Sequence, residues 1–412
     1  MKNSIIHLGM AMTAMFCILL QSVILAQNSR IAPGQIKSEK PETLFEMALK
    51  EEEAGRYDAA VRLYTQSIEG KSGYIEAYFR RGVANLQQRS YENAIDDFTY
   101  VVQRRPKLNS ALINRAIAYE RKGDYEKAQV DFKRALTLEP TSHSALLNRG
   151  NAYLHQKRNV MAFEDFDRAI SLSPEKWDGY LYRGNANLQL REHAKAISDY
   201  SALIKIKPRY RSAWLHRGEA HAELKEWDLA AADFGQAIEL DPKQPDAFVS
   251  RGNVLHKSQQ LDKATQDFDH AIALDPNYSR AYRGRGSVQL SLKDLPKALT
   301  EFETATRLSP NDATSLTGLS LCQFYLGKYS DSASSSKKAI LADPNIAQPR
   351  FYYALSSAAL GDSEVAMREL EEALKRATPE EKKAGYENTK FLLSKMQESE
   401  TLKLIKSRLD KD

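Results

Sequence analysis

The sequence predicts an all-α fold, a solenoid in which one pair of helices is copied in tandem. Eight prolines recur at one constant interval along the chain: Pro106, Pro140, Pro174, Pro208, Pro242, Pro276, Pro310 and Pro344. Between successive prolines, apolar residues follow helical spacing on two stretches that a polar turn separates. Because a unit of this length cannot bury its apolar face alone, it must stack on its neighbours. We therefore expect function to reside on a surface rather than in an enclosed active site.

Residues 1–26 differ in kind from the repeats that follow. Lys2 precedes a mostly apolar stretch over residues 5–25, which ends just before Ala26. This arrangement is typical of a secretory signal peptide with Ala26 as the last residue removed. Polar residues interrupt the stretch, which weakens the alternative of an uncleaved membrane anchor. We expect a protein that is exported (periplasmic or extracellular) or membrane-anchored by this segment, with residues 27–40 as a flexible linker.

Ten units of equal length, each as long as the interval between the prolines, fit between residues 41 and 380 when each proline takes position 32. The units start at residues 41, 75, 109, 143, 177, 211, 245, 279, 313 and 347. In the third unit, Leu112 lies on an apolar helix face, Gly123 marks a turn, and Phe132 belongs to a second amphipathic helix. Each unit is therefore expected to form a helix, a turn, a second helix and a proline stop.

Small and aromatic residues recur where the two helices of a unit must pack. Position 8 is glycine in Gly82, Gly150, Gly184, Gly218, Gly252 and Gly286. Position 24 is aromatic in the first eight units: Tyr64, Phe98, Phe132, Phe166, Tyr200, Phe234, Phe268 and Phe302. Such helical spacing indicates core packing rather than ligand binding by these rings.

This pattern of small residues, aromatics and prolines resembles the tetratricopeptide repeat over residues 41–380. The resemblance implies antiparallel helix pairs stacked into a right-handed superhelix, with a concave groove lined by the first helix of each unit. The ninth unit departs from the pattern, because Ser332 replaces the position-20 alanine and Ser336 the position-24 aromatic. We expect this unit to be the loosest of the ten.

Residues 381–412 continue at broadly helical spacing, with apolar residues such as Phe391, Leu402 and Ile405 among lysines and glutamates. The last repeat of a solenoid needs a cover whose outer face is polar. We therefore predict a C-terminal capping helix and a tail.

Position 7 is arginine in seven successive units, and position 23 is acidic in the same seven. The pairs are Arg81 with Asp97, Arg115 with Asp131, Arg149 with Asp165, Arg183 with Asp199, Arg217 with Asp233, Arg251 with Asp267, and Arg285 with Glu301. Two units lack both the arginine and the acid: the first has Met47 and Leu63, and the ninth has Leu319 and Ser335. The tenth unit is the exception, because it keeps the acid, Glu369, but has Tyr353 in place of the arginine. We interpret the pairs as structural ion pairs across the two helices or to the adjoining unit. Their acids disfavour the alternative, a row of arginines that binds anions.

Composition and charge exclude several classes of function. A formal charge of +5, from 59 basic and 54 acidic residues, is too weak and scattered for a nucleic-acid surface. Once the signal is removed, Cys322 is the one remaining cysteine, so an internal disulfide is excluded. We interpret Cys322 as a small buried hydrophobe, with pairing between chains as the alternative.

No motif for catalysis, a cofactor or a metal emerges from the sequence. Residues 70–72 end like a phosphate loop, but Thr65 stands where its first glycine should be. His216 and His221 are five residues apart, whereas a zinc-binding helix uses a spacing of four. The sequence therefore predicts neither an enzyme nor a cofactor or metal site.

The resemblance also implies where a partner binds, because the groove of such proteins is lined mainly by positions 2, 5, 6, 9, 12 and 13. Positions 6 and 9 of this chain give the candidate groove residues Arg80, Asn114, Asn148, Asn151, Tyr182, Asn185, His216, Glu219, Ser250 and Asn253. Asparagine amides match an extended peptide backbone, as in the repeat arm of O-GlcNAc transferases, although asparagine also simply solvates helix faces. Asn148 and Asn151, three apart on one helix face, form the best candidate site.

Two functions remain open at this stage. The first is a non-enzymatic protein–protein interaction scaffold, exported or membrane-anchored, whose groove binds an extended polypeptide or a partner subunit. The second is an accessory or regulatory subunit of an envelope enzyme or assembly complex, in which a separate protein carries the catalysis. In both, the partners are proteins or peptides, nucleic acid plays no part, and a membrane is contacted only through the N-terminal segment.

Overall fold

A computed structural model describes residues 39–395 and 400–409 of the chain, without the side chains of residues 392–395. Twenty-two helices and no strand occur in these residues. The all-α fold class that the sequence predicts is therefore confirmed. None of the described helices is long and apolar enough to cross a membrane. The predicted signal peptide and most of the predicted linker lie outside the described residues.

The helices follow one another in pairs. In chain order they are α1 (Pro41–Glu53), α2 (Tyr57–Gly70), α3 (Ile75–Gln87), α4 (Tyr91–Arg104), α5 (Asn109–Lys122), α6 (Tyr125–Leu138), α7 (His143–His155), α8 (Asn159–Leu172), α9 (Trp177–Gln189), α10 (His193–Ile206), α11 (Arg211–Glu223), α12 (Trp227–Leu240), α13 (Pro245–Lys257), α14 (Leu261–Leu274), α15 (Ser279–Ser291), α16 (Leu295–Leu308), α17 (Ala313–Tyr325), α18 (Tyr329–Ala342), α19 (Gln348–Ala359), α20 (Ser363–Leu374), α21 (Pro379–Lys395) and α22 (Glu400–Leu409). Consecutive helices pack against each other from α1 to α8 and from α10 to α20. From Pro41 to Ala313, the first helix of each pair begins at the unit start read from the sequence, and the tenth begins just after it, at Gln348.

A left-handed residue follows the first helix of each pair. After α5, the N–H of Gly123 donates to the Glu120 carbonyl at 2.9 Å, and the N–H of Asp124 donates to the Tyr119 carbonyl at 2.8 Å. These bonds satisfy carbonyls that the end of the helix leaves open. Six repeats place a residue other than glycine here, with φ between 58° and 64°: Arg89, Lys157, Arg191, Lys225, Gln259 and Lys293. Backbone hydrogen bonds therefore hold the turn even where a side chain disfavours its conformation.

The last described residues form two helices where the sequence predicts one capping helix. A capping box starts α21 at Pro379: the N–H of Glu381 donates to Thr378 Oγ1 at 3.2 Å, and the N–H of Thr378 donates to the Glu381 carboxylate at 2.9 Å. Helix α22 then buries Leu402 and Ile405 completely in the apolar cluster of α19 and α20. The cover that the last repeat needs is thus built from a short helix pair.

Two compact units divide the chain, one up to Tyr182 and the other from Arg183. In the first unit, Phe98, Phe132 and Phe166 at position 24 are fully buried. In the second unit, the same position is at most 2% exposed in Tyr200, Phe234, Phe268 and Phe302. A large buried ring at position 24 therefore contributes to the core of each of these repeats.

Glycine at position 8 allows the two helices of a repeat to approach closely. A Cβ atom on Gly150 would lie 2.6 Å from Cε1 of Phe166, and one on Gly218 would lie 2.9 Å from Cε1 of Phe234. Both distances are shorter than carbon atoms tolerate, so any side chain would push the helices apart.

Candidate functional site

Seven arginine–carboxylate pairs connect the helices of their repeats in the described chain. The nearest nitrogen and oxygen are 2.6 to 2.9 Å apart in Arg81–Asp97, Arg115–Asp131, Arg149–Asp165, Arg183–Asp199, Arg217–Asp233, Arg251–Asp267 and Arg285–Glu301. The six aspartates are buried, with only 2 to 4% of their surface exposed. Each guanidinium is therefore held by a carboxylate of the protein itself, which leaves no open row among these seven arginines for anions.

Some of these arginines also reach the second helix of the preceding repeat, at position 25. The contacts join Arg81 to Thr65, Arg115 to Thr99, Arg217 to Ser201 and Arg285 to Asp269, at 2.6 to 3.2 Å. We call the position-7 arginine with its position-23 acid the repeat staple, which joins three helices where the position-25 contact is also made. The hydrogen bond to Asp131 raises the pKa of Arg115, so its charge persists at any working pH.

The tenth repeat pairs its acid in a different way. At position 7 it has Tyr353, so the sequence leaves Glu369 without an arginine. In the structure Arg350, at position 4 of the same repeat, donates from Nη1 to Glu369 at 2.7 Å. Two repeats follow the seven that carry the pair. The tenth keeps its acid, whereas the ninth has Leu319 and Ser335 and so lacks both the arginine and the acid.

The predicted asparagines of the first compact unit lie half-buried on first helices of their repeats. Nδ2 of Asn148 donates to the Ser144 carbonyl at 2.8 Å, one turn earlier in α7. Asn114 and Asn151 have no side-chain hydrogen-bond partner among the described residues. No hydrogen bond joins these asparagines to one another in this unit, so two of the three amides stay available to a partner.

Arg80 and Tyr182 in the same unit are engaged by the protein. Arg80 lies 3.7 Å from the carboxylates of both Glu52 and Glu76. The ring of Tyr182 lies 6.2 Å from that of Phe166, and burial raises the pKa of the Tyr182 hydroxyl. These two candidates therefore contribute to ion pairing and packing as well as to the surface.

In the second compact unit, three predicted groove residues already have partners. The amide oxygen of Asn185 accepts a hydrogen bond from the Tyr200 hydroxyl at 2.6 Å. Nδ1 of His216 lies 3.0 Å from Oε2 of Glu219. Asn253 is exposed and its side chain has no partner among the described residues. Of the predicted asparagines in this unit, Asn253 thus keeps the full hydrogen-bonding capacity of its amide.

Positions 2, 5, 6 and 9 of three successive repeats converge on one cleft in the second compact unit. The cleft encloses about 630 Å³, and its residues on α11, α13 and α15 are Leu215, Glu219, Asp246, Val249, Ser250, Asn253, Ser279, Arg280 and Arg283. We call it the first-helix cleft. Its volume is in the range of ligand-binding clefts, roughly 300–1,000 Å³.

Most charges of the first-helix cleft are paired. Burial opposes the ionisation of Asp246, but the hydrogen bonds and charge of Arg211 outweigh it and hold the pKa of Asp246 below its usual value. Arg283 lies 2.9 Å from Asp312. Arg280 is exposed and has no carboxylate partner among the described residues. The cleft therefore presents one unpaired cation.

The sequence-based candidates omit most residues of this cleft. They come from positions 6 and 9, so they miss Asp246, Arg280 and Arg283 at positions 2 and 5, which the family pattern also marks as lining. Asp312 stands in the turn before α17, at position 34, and only the structure brings it beside Arg283. The repeat positions of Asp246, Arg280 and Arg283 therefore predict that they line the groove, whereas the position of Asp312 does not.

No three side chains of His, Cys, Asp or Glu gather into a possible metal site in the part of the chain that the structure describes. The ring of His221 instead contacts the carboxylate of Glu226, and His216 contacts that of Glu219. Cys322 is completely buried in α17, as expected of a small hydrophobe, and burial raises the pKa of its thiol to about 12.

Comparison with known families gives a consistent result along the repeats. Models of the tetratricopeptide repeat match residues 45–109, 110–142, 143–176, 162–211, 183–245 and 249–313, which together span more than half of the chain. No curated protein matches the sequence.

Solved structures show distant likenesses. Yeast Tom70 is 15% identical, with a TM-score of 0.48 over 86% of this chain and 95% of Tom70. YrrB, described as a tetratricopeptide repeat protein with an unusual peptide-binding site, is 23% identical, with a TM-score of 0.38 over 45% of this chain and 95% of YrrB. A tetratricopeptide repeat protein from Parabacteroides merdae is 19% identical, with a TM-score of 0.44 over 60% of this chain and 98% of its own.

Proposed function

Because this chain belongs to the tetratricopeptide repeat family, we propose that it is a non-enzymatic scaffold that binds an extended polypeptide or a partner subunit on the first helices of its repeats. The first-helix cleft carries the proposal, because it collects lining positions from three successive repeats on one surface. A surface built from repeated positions offers repeated contacts to an extended chain, which a compact small molecule would not use.

The side chains of the first-helix cleft suit a polypeptide. Leu215 and Val249 offer apolar contacts, and the amide of Asn253 offers donors and an acceptor to a peptide backbone. The unpaired guanidinium of Arg280 favours a carboxylate on the partner, because a charge-assisted hydrogen bond is stronger than a neutral one. In the first compact unit, Asn114 and Asn151 add two further available amides.

We further propose that residues 1–26 export the chain and are removed after Ala26, or that residues 5–25 anchor it to a membrane. Fractionation of the native host followed by N-terminal sequencing distinguishes the two. A mature chain that begins at Gln27 supports cleavage, and a full-length chain in the membrane fraction supports the anchor. A full-length chain in the cytosolic fraction would overturn both.

The test of the scaffold proposal is cross-linked capture of partners by the full chain, followed by mass spectrometry. Three forms are compared: the parent, the cleft variant Asn253→Ala with Arg280→Ala, and a variant with Asn114, Asn148 and Asn151 changed to Ala. The matched control is Arg209→Ala with Asn345→Ala, which removes the same two residue types at exposed positions outside the cleft. Helical content is measured for every form.

A discrete partner that the parent and control hold, and that the cleft variant loses, is the expected result. Loss only in the asparagine variant would move the site to the first compact unit. Equal capture by all forms would show that partners bind elsewhere. Stable, stoichiometric co-purification with one catalytic subunit would favour the accessory-subunit function over a general scaffold.

A further inference from the structure

The ninth repeat has lost its repeat staple, and a cleft lies where the staple would be. Position 7 is Leu319 and position 23 is Ser335, while position 25 of the preceding repeat is Glu303. All three residues line one cleft of about 790 Å³ between α16, α17 and α18. We call it the staple-free cleft.

The eighth repeat shows what is missing. There Arg285 lies 2.9 Å from Glu301 and 2.6 Å from Asp269, which fills the junction of three helices with one guanidinium. Leu319 is too short to cross the same junction, and the hydroxyl of Ser335 cannot replace a carboxylate. Position 24 beside it is Ser336 instead of an aromatic ring, so the ninth repeat also lacks the large side chain that fills this position in the first eight units.

The lining of the staple-free cleft combines apolar and basic groups. Leu316 and Leu319 are buried at its floor, and Leu341 at its rim is 74% exposed. Arg307 and Lys338 are exposed lining residues with no carboxylate partner among the described residues. These two cations outnumber Glu303, the one acidic residue of the lining, so the rim is positive.

We propose that the staple-free cleft is a second binding site, which takes a segment of a partner polypeptide that carries a large apolar side chain beside Asp or Glu. The apolar side chain covers Leu341 and the floor, and the carboxylate pairs with Arg307 and Lys338. The site goes beyond the proposed function, since its residues occupy other repeat positions than those of the first-helix cleft, apart from Asn311, which lines both. Its binding does not depend on that cleft.

The structure suggests a variant that repairs the staple. Leu319→Arg with Ser335→Asp restores the arginine and aspartate that six of the seven stapled repeats carry, next to an acid already present at Glu303, and should close the cleft. A second variant, Arg307→Glu with Lys338→Glu, changes only exposed residues and reverses the charge of the rim. Asn253→Ala with Arg280→Ala serves as the control that leaves this cleft intact.

The probe is an array of short synthetic peptides in which Leu, Phe or Met is flanked by Asp or Glu, beside counterparts flanked by Lys or Arg. We expect the full chain to prefer the acidic set. The repaired variant should bind that set with an affinity lower by a factor of about ten or more. The charge-reversed variant should prefer the basic set. The control should bind like the parent, which separates this site from the first-helix cleft even if the latter proves inactive.

Four results would overturn the proposal. They are equal binding by the parent and the repaired variant, a preference of the parent for the basic set, loss of binding in the control alone, and absence of binding to either set. A dimer of the parent that the repair abolishes, seen by sedimentation, would assign the cleft to a second copy. Binding to vesicles of anionic lipid but not to peptides would assign it to a membrane surface.

Discussion

At the scale of single residues, this fold depends on charges that are buried in pairs. Asp165 is 4% exposed, and its two oxygens accept hydrogen bonds at 2.8 and 2.6 Å from Arg149. Removing one member of such a pair costs more than replacing both, because the remaining charge stays buried without a partner. The seven repeats that carry a staple are therefore sensitive to single substitutions on the second helix and the first alike.

Arg149→Ala should lower the free energy of unfolding by about 3 kcal/mol, because it strands the Asp165 carboxylate. Urea titration followed by circular dichroism measures the change. Arg168→Ala is the control: it removes an exposed arginine whose Nη2 donates to the Pro140 carbonyl at 2.9 Å, and should cost less than about 0.5 kcal/mol. If the two substitutions had the same small effect, the staple would be a solvent-screened surface pair.

Cys322 should be inert to thiol reagents in the folded protein. Burial disfavours its thiolate and raises the pKa to about 12, so the reactive form stays scarce from neutral to mildly alkaline pH. Iodoacetamide labelling, read by mass spectrometry, should be slow in buffer at pH 7 and pH 9 and fast in denaturing urea. If the folded protein were labelled rapidly, and faster at pH 9 than at pH 7, the thiol would be exposed.

At the scale of elements, one repeat is a helix pair whose spacing is set by a glycine and an aromatic ring. The turns between the helices are held by backbone hydrogen bonds, and the staples add a link to the preceding repeat. The ninth repeat lacks both the ring and the staple, and its buried serines compensate only in part: Ser332 Oγ donates to the Ser320 carbonyl at 2.9 Å, whereas the buried hydroxyl of Ser336 has no partner among the described residues.

Gly150→Ala should destabilise the protein by about 1 to 3 kcal/mol, because the new Cβ would meet the buried ring of Phe166 at 2.6 Å. Gly235→Ala is the matched control, since its Cβ would find only Nη1 of Arg251, at 3.7 Å. In the control, alanine should raise stability by about 0.5 kcal/mol through its better helix propensity. Thermal unfolding measures both, and a tolerated Gly150→Ala would contradict the close approach of the helices.

Hydrogen exchange should be faster in α18 than in α14. Both are second helices of the same compact unit, but α14 carries Phe268 and the stapled Asp267, whereas α18 carries Ser336 and Ser335. Fewer packing contacts lower the free energy of local opening. Exchange followed by mass spectrometry on fragments of the two helices tests this, and equal protection would show that the buried serines replace the lost contacts fully.

At the scale of the whole molecule, a repeat protein is stable only where its last apolar face is covered. Here the cover is α22, whose Leu402 and Ile405 are completely buried in a cluster with Phe351, Leu355 and Leu370. Residues 400–409 are therefore part of the fold of the second compact unit.

Leu402→Ser with Ile405→Ser should release α22 and expose the apolar face of the last repeats. We expect earlier thermal unfolding, stronger binding of an apolar dye and aggregation in size-exclusion chromatography. Leu404→Ser is the control, because Leu404 is 54% exposed on the same helix and should be neutral. A double variant that behaves like this control would show that the last repeat does not need its cover.

The fold class follows from the sequence alone, because one strict period repeats the helix starts, turns and packing positions along the chain. The sequence also pairs each position-7 arginine with the acid that the structure brings to it, since the same separation between the two recurs in seven units. Such features depend on neighbours within one repeat or the next, and the period encodes them directly.

Which polar groups remain available to a partner depends on the folded arrangement of the repeats. All four of these candidates are asparagines on first helices, but their side chains differ in what they contact. Asn148 is hydrogen-bonded to Ser144 and Asn185 to Tyr200, whereas the side chains of Asn151 and Asn253 have no partner among the described residues. Whether an amide is free depends on the rotamers and neighbours of each repeat, which the period does not encode. For the same reason only the structure reveals both clefts, because each is formed by side chains from three helices that meet in space.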